Sequence, residues 1–334
     1  MVKVGIIGSG FGLYGLLPAF NSTKDCKVVS ICGSKTQRLV NYCQSIGLKK
    51  IYTDWQTMLR EEKLDAIALA VTPNAQYQIA KIAIKRGLHI FAEKPLAASL
   101  KQAQELLSLA NKKKIIHAID FLFPEIREWK EVKKLIDKKT YGELKQINLK
   151  WDFLSYDIKN KQSSWKTDIS KGGGALSFYF SHSLYYLEYF AGKILEFKSK
   201  LSYSKENING GEIEIDLRLK FENNVTGKAH FNCNNKELTR HQLIFICEKA
   251  KIVLENKNGI TSNFRIEIYI NDKMKELIIS KTENSKGNAD ERVIVVKKIV
   301  ARFIYSIIHK KEVIPSFNEG VRVQELIEKI RVNI

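Results

Sequence analysis

The sequence predicts an α/β protein, with a doubly wound parallel sheet in a first domain and a largely antiparallel open sheet in a second, α+β domain. Apolar strand-like runs alternate with helix-like segments up to about residue 122, which is typical of βαβ units. From residue 144 onward, strand-like segments alternate in polarity, as strands with one solvated face do. A chain of 334 residues is also too long to fold around one ordinary hydrophobic core. We therefore expect two domains, over residues 1–122 and 123–334.

The first domain begins with Val2–Ile7, a nearly continuous apolar run of the kind that a buried parallel strand requires. Its later strands are predicted over residues 27–32, 51, 66–71, 89–92 and 115–118. Its helices are predicted over residues 13–21, 36–46, 55–62, 76–86 and 100–111. Gly87 provides the stop signal for the fourth of these helices.

In the second domain the clearest strand is Glu212–Phe221, where isoleucines and leucines occupy one face and charged residues the other. Similar patterns predict strands over residues 144–153, 225–231, 243–247, 252–254, 266–270 and 277–279. Turn-forming residues such as Asn223, Asn224 and Gly259 separate several of them.

The chain is strongly basic, with 55 Lys and Arg residues against 36 Asp and Glu residues and a formal net charge of +19. Nucleic-acid binding is one interpretation of such a charge. The lysines are spread along the chain, however, and form only short clusters at residues 112–114, 297–298 and 310–311. We therefore favour a solvated basic surface and expect no nucleic-acid partner.

Targeting and metal-binding signals are missing from the sequence. The apolar start reaches glycine too soon for a secretory signal, and no run of about 20 apolar residues could cross a membrane. The five cysteines form no C-x-x-C pair, so neither a zinc site nor a redox motif is indicated. We expect a cytoplasmic protein with reduced thiols, no membrane partner and no metal.

A glycine-rich loop, Gly8-Ser9-Gly10-Phe11-Gly12, lies between the first strand and the first helix. Glycines at this place let the backbone approach a pyrophosphate at a helix N-terminus. The G-x-G-x-x-G spacing would put a third glycine at Leu13, whereas the sequence has Gly12 and Gly15. The position of the loop inside a βαβ unit still predicts a dinucleotide-binding Rossmann domain, with Gly8, Gly10, Phe11 and Gly12 as cofactor-binding residues.

The end of the second strand indicates which dinucleotide is bound. An acidic residue is expected there when NAD is bound, but residues 33–38 contain none. Ser34, Lys35 and Arg38 can instead donate hydrogen bonds to a 2′-phosphate. We therefore predict NADP in preference to NAD, while Lys35 and Arg38 could also be ordinary exposed residues at a helix start.

Further motifs follow the later strands: Thr72-Pro73-Asn74, Glu93-Lys94-Pro95, the segment Gly172-Gly173-Gly174-Ala175-Leu176 with His182 beyond it, and residues 316–324. With the glycine loop, these stretches resemble the Gfo/Idh/MocA family of oxidoreductases over nearly the whole chain. The resemblance implies that Thr72, Pro73, Asn74, Glu93 and Lys94 contact the cofactor. It also implies a cis bond before Pro95 and a homodimer or homotetramer formed through the second sheet.

The resemblance assigns catalysis to Lys94 and His182. A lysine ammonium at the carboxyl end of a parallel strand can polarise a substrate oxygen, and a histidine can exchange its proton. We therefore expect an NAD(P)-dependent oxidoreductase acting on CH–OH groups of a small molecule. Its substrate is expected to be a sugar-like alcohol or ketone, with a nucleotide sugar of surface polysaccharide synthesis as one candidate.

The sequence departs from the family at Phe178, where an acidic residue is usual four residues before His182. On one helix these two residues would share a face. We expect Trp165, Asp168, Phe178 and Tyr179 to line the substrate pocket. Two alternatives stay open: a reductase of a flat conjugated substrate, as in the biliverdin reductase branch, and a non-catalytic regulator that senses NADP.

Overall fold

The computed structural model describes residues 1–203, 210–279 and 290–332. These residues form two compact units, each built on its own sheet. The first unit contains residues 1–122 together with the described residues from 290 to 324, and the second contains the rest. The chain therefore leaves the first unit after Leu122, but residues 290–324 return to it, so the expected second domain is not one continuous stretch.

The sheet of the first unit has six strands, and every pair of neighbours is parallel. The strands are β1 (Val2–Ile7), β2 (Cys26–Cys32), β3 (Ile51–Tyr52), β4 (Ala66–Leu69), β5 (His89–Ala92) and β6 (His117–Ile119). Their order is β3-β2-β1-β4-β5-β6, so the direction of winding reverses between β1 and β4. In open sheets of this kind, ligands bind beyond the carboxyl ends of the strands at the point of reversal. The predicted doubly wound sheet is confirmed.

The sheet of the second unit has eight strands in the order β14-β13-β12-β11-β7-β10-β9-β8. The strands are β7 (Leu144–Asp152), β8 (Ile194–Tyr203), β9 (Glu212–Phe221), β10 (Thr226–Asn232), β11 (Arg240–Cys247), β12 (Lys251–Asn256), β13 (Arg265–Ile270) and β14 (Lys273–Leu277). Neighbours are antiparallel except β7 and β10, which are parallel. The largely antiparallel sheet is thus confirmed, with β8 as a strand that the sequence did not indicate.

Eleven α-helices lie within the described residues. They are α1 (Leu17–Asn21), α2 (Gln37–Ser45), α3 (Trp55–Glu61), α4 (Pro73–Lys85), α5 (Leu100–Lys113), α6 (Arg127–Asp137), α7 (Tyr156–Lys159), α8 (Ala175–Phe178), α9 (Phe180–Ala191), α10 (Arg292–His309) and α11 (Phe317–Val332). A π-helical turn, Gly12–Leu16, leads into α1. No helix in this part of the chain combines the length and apolarity that crossing a bilayer demands.

Helix α10 returns to the first unit because it carries an apolar face. Phe303 lies fully buried, with its ring edge-to-face on Phe20 at 6.4 Å and on Phe91 at 5.7 Å between centroids. Burying an aromatic side chain of this size stabilises a fold by roughly 1.5–3 kcal/mol. The hydrophobic effect therefore holds α10 against the unit that carries the glycine loop.

Candidate active site

The glycine loop begins where β1 meets β4. Gly8 has a φ of +123°, and a Cβ there would lie 2.1 Å from the carbonyl oxygen of Ala70. Its N–H donates to the carbonyl oxygen of Cys32 at 2.8 Å, which ties the loop to the end of β2. Only glycine fits this position, because any side chain would collide with the backbone that follows β4.

The next glycine faces open space. A Cβ at Gly10 would meet no heavy atom within 4 Å, whereas one at Gly12 would make ordinary contacts with Ile6 and Ala70. The helical turn starts immediately afterwards, where the N–H of Leu13 donates to the carbonyl oxygen of Gly10 at 2.9 Å. An uncovered backbone at a helix N-terminus is the cradle that a pyrophosphate needs, so these residues fit a dinucleotide.

Gly15 serves a different purpose. A Cβ there would lie 2.2 Å from the ring of Phe11, so the glycine makes room for that ring. The spacing of Gly10 and Gly15 therefore reflects the π-helical turn and a tucked-in aromatic ring. This packing accounts for the departure of the loop from the usual glycine spacing.

The acid-free segment at the end of β2 lies against the glycine loop. A Cβ at Gly33 would be 2.7 Å from the Cβ of Ser9. Ser34 and Lys35 are exposed, and the exposed Arg38 places its guanidinium 3.9 Å from the centroid of the Tyr14 ring. A cation–π contact of this kind holds the charge of Arg38 beside the glycine loop. The sequence indicated Arg38, but not the ring that positions it.

The loop after β4 and the loop after β5 are joined by Gln76, which the sequence analysis missed. Thr72 precedes α4, Pro73 occupies its first turn, and Asn74 is exposed. The buried Gln76 places its Nε2 2.7 Å from the carbonyl oxygen of Glu93 and 3.0 Å from that of Pro95, and its Oε1 accepts the N–H of Glu93 at 3.1 Å. The amide thus fixes the backbone on both sides of Lys94.

Two carboxyl groups meet at the ends of β5 and β6. The N–H of Asp120 donates to the carbonyl oxygen of Ala92 at 2.9 Å, which places Asp120 beside Glu93. Burial raises the pKa of both carboxyls, and the charge of Glu93 raises the pKa of Asp120 further. Neither side-chain oxygen of Asp120 has a well-formed hydrogen bond among the described residues. Lys94, half-buried and joined to Pro95 by a cis bond, lies next to this acid pair.

In the second unit, a buried ion pair fixes the glycines that precede α8. The side chain of Glu212 is fully buried, and its Oε1 accepts from Nε of Arg331 at 2.7 Å. Arg331 also donates to the carbonyl oxygen of Gly173 at 2.7 Å. Gly174 has a φ of +86°, and a Cβ there would be 2.1 Å from a carboxylate oxygen of Glu212. Gly174 is therefore required by the close approach of Glu212, whereas a Cβ at Gly173 would lie 1.9 Å from the carbonyl oxygen of Trp165.

His182 lies in α9 and is 7% exposed. Its ring packs edge-to-face on Phe123, with 5.1 Å between centroids. Behind Phe123, the hydroxyl of Tyr186 lies 3.0 Å from Nε2 of His241, whose ring is stacked on Trp151 at 4.4 Å. Burial lowers the pKa of His241 to about 3, so that imidazole is neutral. His182 thus belongs to an aromatic cluster in which a neutral histidine is already a structural member.

Phe178 and His182 do not lie on one uninterrupted helix. Helix α8 ends at Phe178 and α9 begins at Phe180, with Tyr179 between them at φ −102°. The ring of Phe178 contacts Trp165 edge-to-face at 5.4 Å between centroids. Positions 178 and 182 therefore lie in consecutive helices that meet at Tyr179.

The other expected pocket residues have defined contacts within the second unit. The carboxylate of Asp168 accepts from the N–H and hydroxyl of Ser170 at 3.0 and 2.6 Å and pairs with Lys171. The hydroxyl of Ser170 is the main cause of the lowered pKa of Asp168. Trp165 and Tyr179 both pack against Phe178. The carboxylate of Asp168 thus bonds to residues of its own turn, whereas the rings of Trp165, Phe178 and Tyr179 form a small aromatic group.

Two domain families match the chain. Residues 2–121 match the family described as an oxidoreductase family with an NAD-binding Rossmann fold, and residues 129–253 match the GFO/IDH/MocA C-terminal domain. Together these matches cover most of the 334 residues.

Among curated proteins, an uncharacterised oxidoreductase of Synechocystis sp. is 27% identical, with 98% of this chain and 92% of that protein covered. The dTDP-3,4-didehydro-2,6-dideoxy-alpha-D-glucose 3-reductase of Actinomadura kijaniata is 23% identical over 71% of both chains.

Two solved structures show the same fold. A levoglucosan dehydrogenase in complex with NADH and levoglucosan superposes with a TM-score of 0.85 at 17% identity, covering 99% of this chain and 96% of that one. A 3-ketoreductase of Actinomadura kijaniata, in complex with TDP-benzene and NADP, gives a TM-score of 0.81 at 17% identity, covering 99% and 97%.

Proposed function

The chain belongs to the Gfo/Idh/MocA family of oxidoreductases, and from that premise we propose that it is an NADP-preferring enzyme acting on a sugar-like alcohol or ketone. The proposed preference for NADP rests on the stacking of Arg38 on Tyr14, beside the end of β2, which carries no acidic residue. A carboxylate there would repel a 2′-phosphate, whereas a guanidinium attracts it. Relatives include enzymes named for NADH and for NADP complexes, so the family alone leaves the choice open.

The substrate class rests on the relatives and on the site residues. Relatives of the chain are named as a nucleotide-sugar 3-reductase, a levoglucosan dehydrogenase and a D-glucoside 3-dehydrogenase. Each name describes chemistry at a sugar carbon. The lysine at the end of β5 can donate a hydrogen bond to an oxygen on the reacting carbon, so it suits a sugar-like substrate better than a flat hydrocarbon one. A nucleotide-linked sugar is the substrate that we would test first.

In the proposed reaction, the chain's own groups manage the substrate oxygen and its proton. When bound, the nicotinamide ring exchanges a hydride with the substrate carbon. Oxidation breaks one C–H and one O–H bond and forms a carbonyl. Lys94 donates a hydrogen bond to the oxygen and stabilises the negative charge that develops there. His182 accepts the hydroxyl proton and returns it when the reaction runs as a reduction.

With Phe178 in place of the usual acid, His182 has to exchange the substrate proton without help from a carboxylate at that position. No carboxylate is present at position 178 to orient the imidazole or to share its proton. The Phe178 ring is engaged edge-to-face with Trp165 and with Tyr179, at 5.4 and 4.6 Å between centroids. Rings packed on one another in this way offer less free face for a flat conjugated substrate, which is why we prefer the sugar-like substrate.

Binding titrations test the cofactor preference. We expect wild-type protein to bind NADPH more tightly than NADH, followed by the fluorescence of the reduced nicotinamide. The substitution Arg38→Ala removes a charge-assisted phosphate contact and should reduce the preference about tenfold or more. Lys24→Ala, at an exposed lysine of the same unit, is the matched loss of charge and should change nothing. Tighter binding of NADH by the wild type would contradict the preference.

A substrate panel tests the reaction. NADP reduction is measured with free sugars, glycosides and nucleotide sugars, and a substrate identified there is used with Lys94→Ala. Loss of the group that stabilises the developing charge should lower kcat by about 100-fold or more. Equal rates in the two proteins would overturn the role given to Lys94.

A further inference from the structure

Arg292 is a cation that the returning segment brings to the glycine loop. It is the first residue of α10, and its guanidinium carbon lies 4.2 Å from the centroid of the Phe11 ring. Phe11 stands between Gly10 and Gly12, in the loop that fits a pyrophosphate. Arg292 therefore packs on the aromatic residue of the glycine loop.

The guanidinium uses only part of its hydrogen-bonding capacity within the described residues. Asp290 accepts from its Nε at 2.9 Å and from one terminal nitrogen at 2.5 Å. These bonds use two of the five N–H donors of an arginine, and the other three have no acceptor among the described residues. The side chain is 33% exposed. Free donors on a fixed, partly exposed guanidinium suit a bidentate contact with a phosphate.

The position of Arg292 is unfavourable for the helix that carries it. The N-terminus of a helix is the positive end of its dipole, so a cation in the first turn of α10 is repelled. Asp290 offsets part of this repulsion. Glu93 and Asp120 also interact electrostatically with Arg292, which helps to lower the pKa of each carboxyl against the effect of burial. Arg292 thus lies between the glycine loop and the acid pair.

A second arginine is presented in the same manner. Tyr14 lies three residues after Phe11, and Arg38 stacks on its ring as Arg292 stacks on Phe11. A ring holds a guanidinium without consuming its N–H donors, unlike a carboxylate. The turn that opens the first helix therefore presents two cations whose donors can still bind an anion.

Resting on the proposed cofactor, we propose that Arg292 is a cofactor ligand that binds the pyrophosphate together with the glycine-loop amides. The segment from Asp290 to Gln324, which returns to the first unit, then contributes directly to the cofactor site.

The test compares ligands with and without a pyrophosphate. Binding of NADPH, ADP-ribose and adenosine 2′-monophosphate is measured by calorimetry for wild type and for Arg292→Ala. We expect the substitution to weaken NADPH and ADP-ribose alike, by about 10- to 100-fold, and to leave the monophosphate unchanged. Lys297→Ala, an exposed lysine of the same helix, controls for net charge and should bind all three ligands as wild type does.

The outcomes separate the possible roles of Arg292. Unchanged NADPH affinity with a lower unfolding temperature would mean that Arg292 only balances the charges of Glu93 and Asp120, and the inference would be overturned. An equal loss for the monophosphate would overturn it too, because the whole site would then be disturbed.

A second variant covers the case in which Arg292→Ala fails to fold. Arg292→Lys keeps the charge but loses the fork of donors, and we expect it to weaken ADP-ribose binding several-fold; no change would count against the inference. Wild-type protein that binds no dinucleotide would overturn the proposed function itself. Wild-type binding with an unaffected variant would overturn only the role of Arg292.

Discussion

Replacing Gly10 by alanine separates the folding of the glycine loop from its binding function. A Cβ at this position meets no heavy atom within 4 Å, and Gly10 is not among the glycines with positive φ. Alanine therefore fits the folded chain without strain. It also restricts the unfolded chain, so we expect the free energy of unfolding to stay the same or to rise by about 0.4–1 kcal/mol.

The same methyl group would occupy the open space where a pyrophosphate approaches the backbone. Amide-to-phosphate hydrogen bonds need donor and acceptor atoms within about 3 Å, which a methyl group between them prevents. The loss of one such bond, at about 1.5–3 kcal/mol, weakens binding about tenfold or more. Gly10→Ala should thus bind NADPH at least tenfold more weakly while folding as well as the wild type.

Thermal unfolding with and without NADPH measures both effects in one assay. A tenfold weaker affinity removes about 1.4 kcal/mol of ligand stabilisation when the ligand is in excess. Gly8→Ala is the contrasting variant, because its Cβ would lie 2.1 Å from the oxygen of Ala70 and should destabilise the protein without ligand. If Gly10→Ala bound NADPH as tightly as wild type, the open face of Gly10 would not be the pyrophosphate site.

Three further substitutions test buried polar groups. Asp120→Asn should raise the unfolding temperature at about pH 8 and make little difference near pH 4. Because the pKa of the Asp120 carboxyl is raised in the folded protein, its contribution to stability is complete at acidic pH and is lost as the pH rises through the folded-state pKa, at about 1.4 kcal/mol for each unit of pKa shift. Thermal melts would contradict this if the difference in unfolding temperature between the two proteins were the same at every pH in that range. Glu212→Gln should cost about 3–5 kcal/mol in chemical denaturation, because Arg331 loses the partner of a buried ion pair, and an unchanged midpoint would refute that role. Gln76→Ala should lower the free energy of unfolding by about 1–3 kcal/mol, because the buried carbonyl groups around Lys94 lose their hydrogen-bond donor. A loss below about 0.5 kcal/mol would show that other groups hold this loop.

Much of the first unit could be predicted because its signals are local. The apolar strands, the glycine loop and the motif around Lys94 each occupy a few consecutive residues, and parallel topology places their carboxyl ends at one edge. In the second unit the strand Ile194–Tyr203 escaped prediction. It is an edge strand in which exposed positions outnumber buried ones, so its alternation is weak.

The supporting residues of the site could not be predicted, because their partners are far away in sequence. Gln76 reaches across 17 residues to Glu93, and Arg331 reaches across 119 residues to Glu212. Asp120 left one faint signal, an acid directly after an apolar strand, since such strand ends meet at one edge of the sheet. Arg292 left none, because nothing in the sequence indicates that α10 returns to the first unit.

The interruption of the helix before His182 could not be predicted from spacing. A four-residue separation implies a shared face only while the helix continues. Here α8 ends and α9 begins around Tyr179, and the rings of Tyr179 and Phe180 both pack on Phe231, at 5.9 and 5.8 Å between centroids. Phe231 is about 50 residues away in sequence, so a local pattern does not reveal these contacts.

The two stacked arginines are held in different ways. A carboxylate partner occupies some of the donors of an arginine before a ligand arrives, as Asp290 does for Arg292, whereas a ring face occupies none. Arg38 lies on the ring face of Tyr14, and Arg292 contacts both the ring of Phe11 and the carboxylate of Asp290. Each guanidinium is ordered before binding, so less side-chain entropy is lost when a phosphate is bound. Phe11 and Tyr14 lie three residues apart, so one short segment after β1 holds both of the arginines that we propose as phosphate ligands.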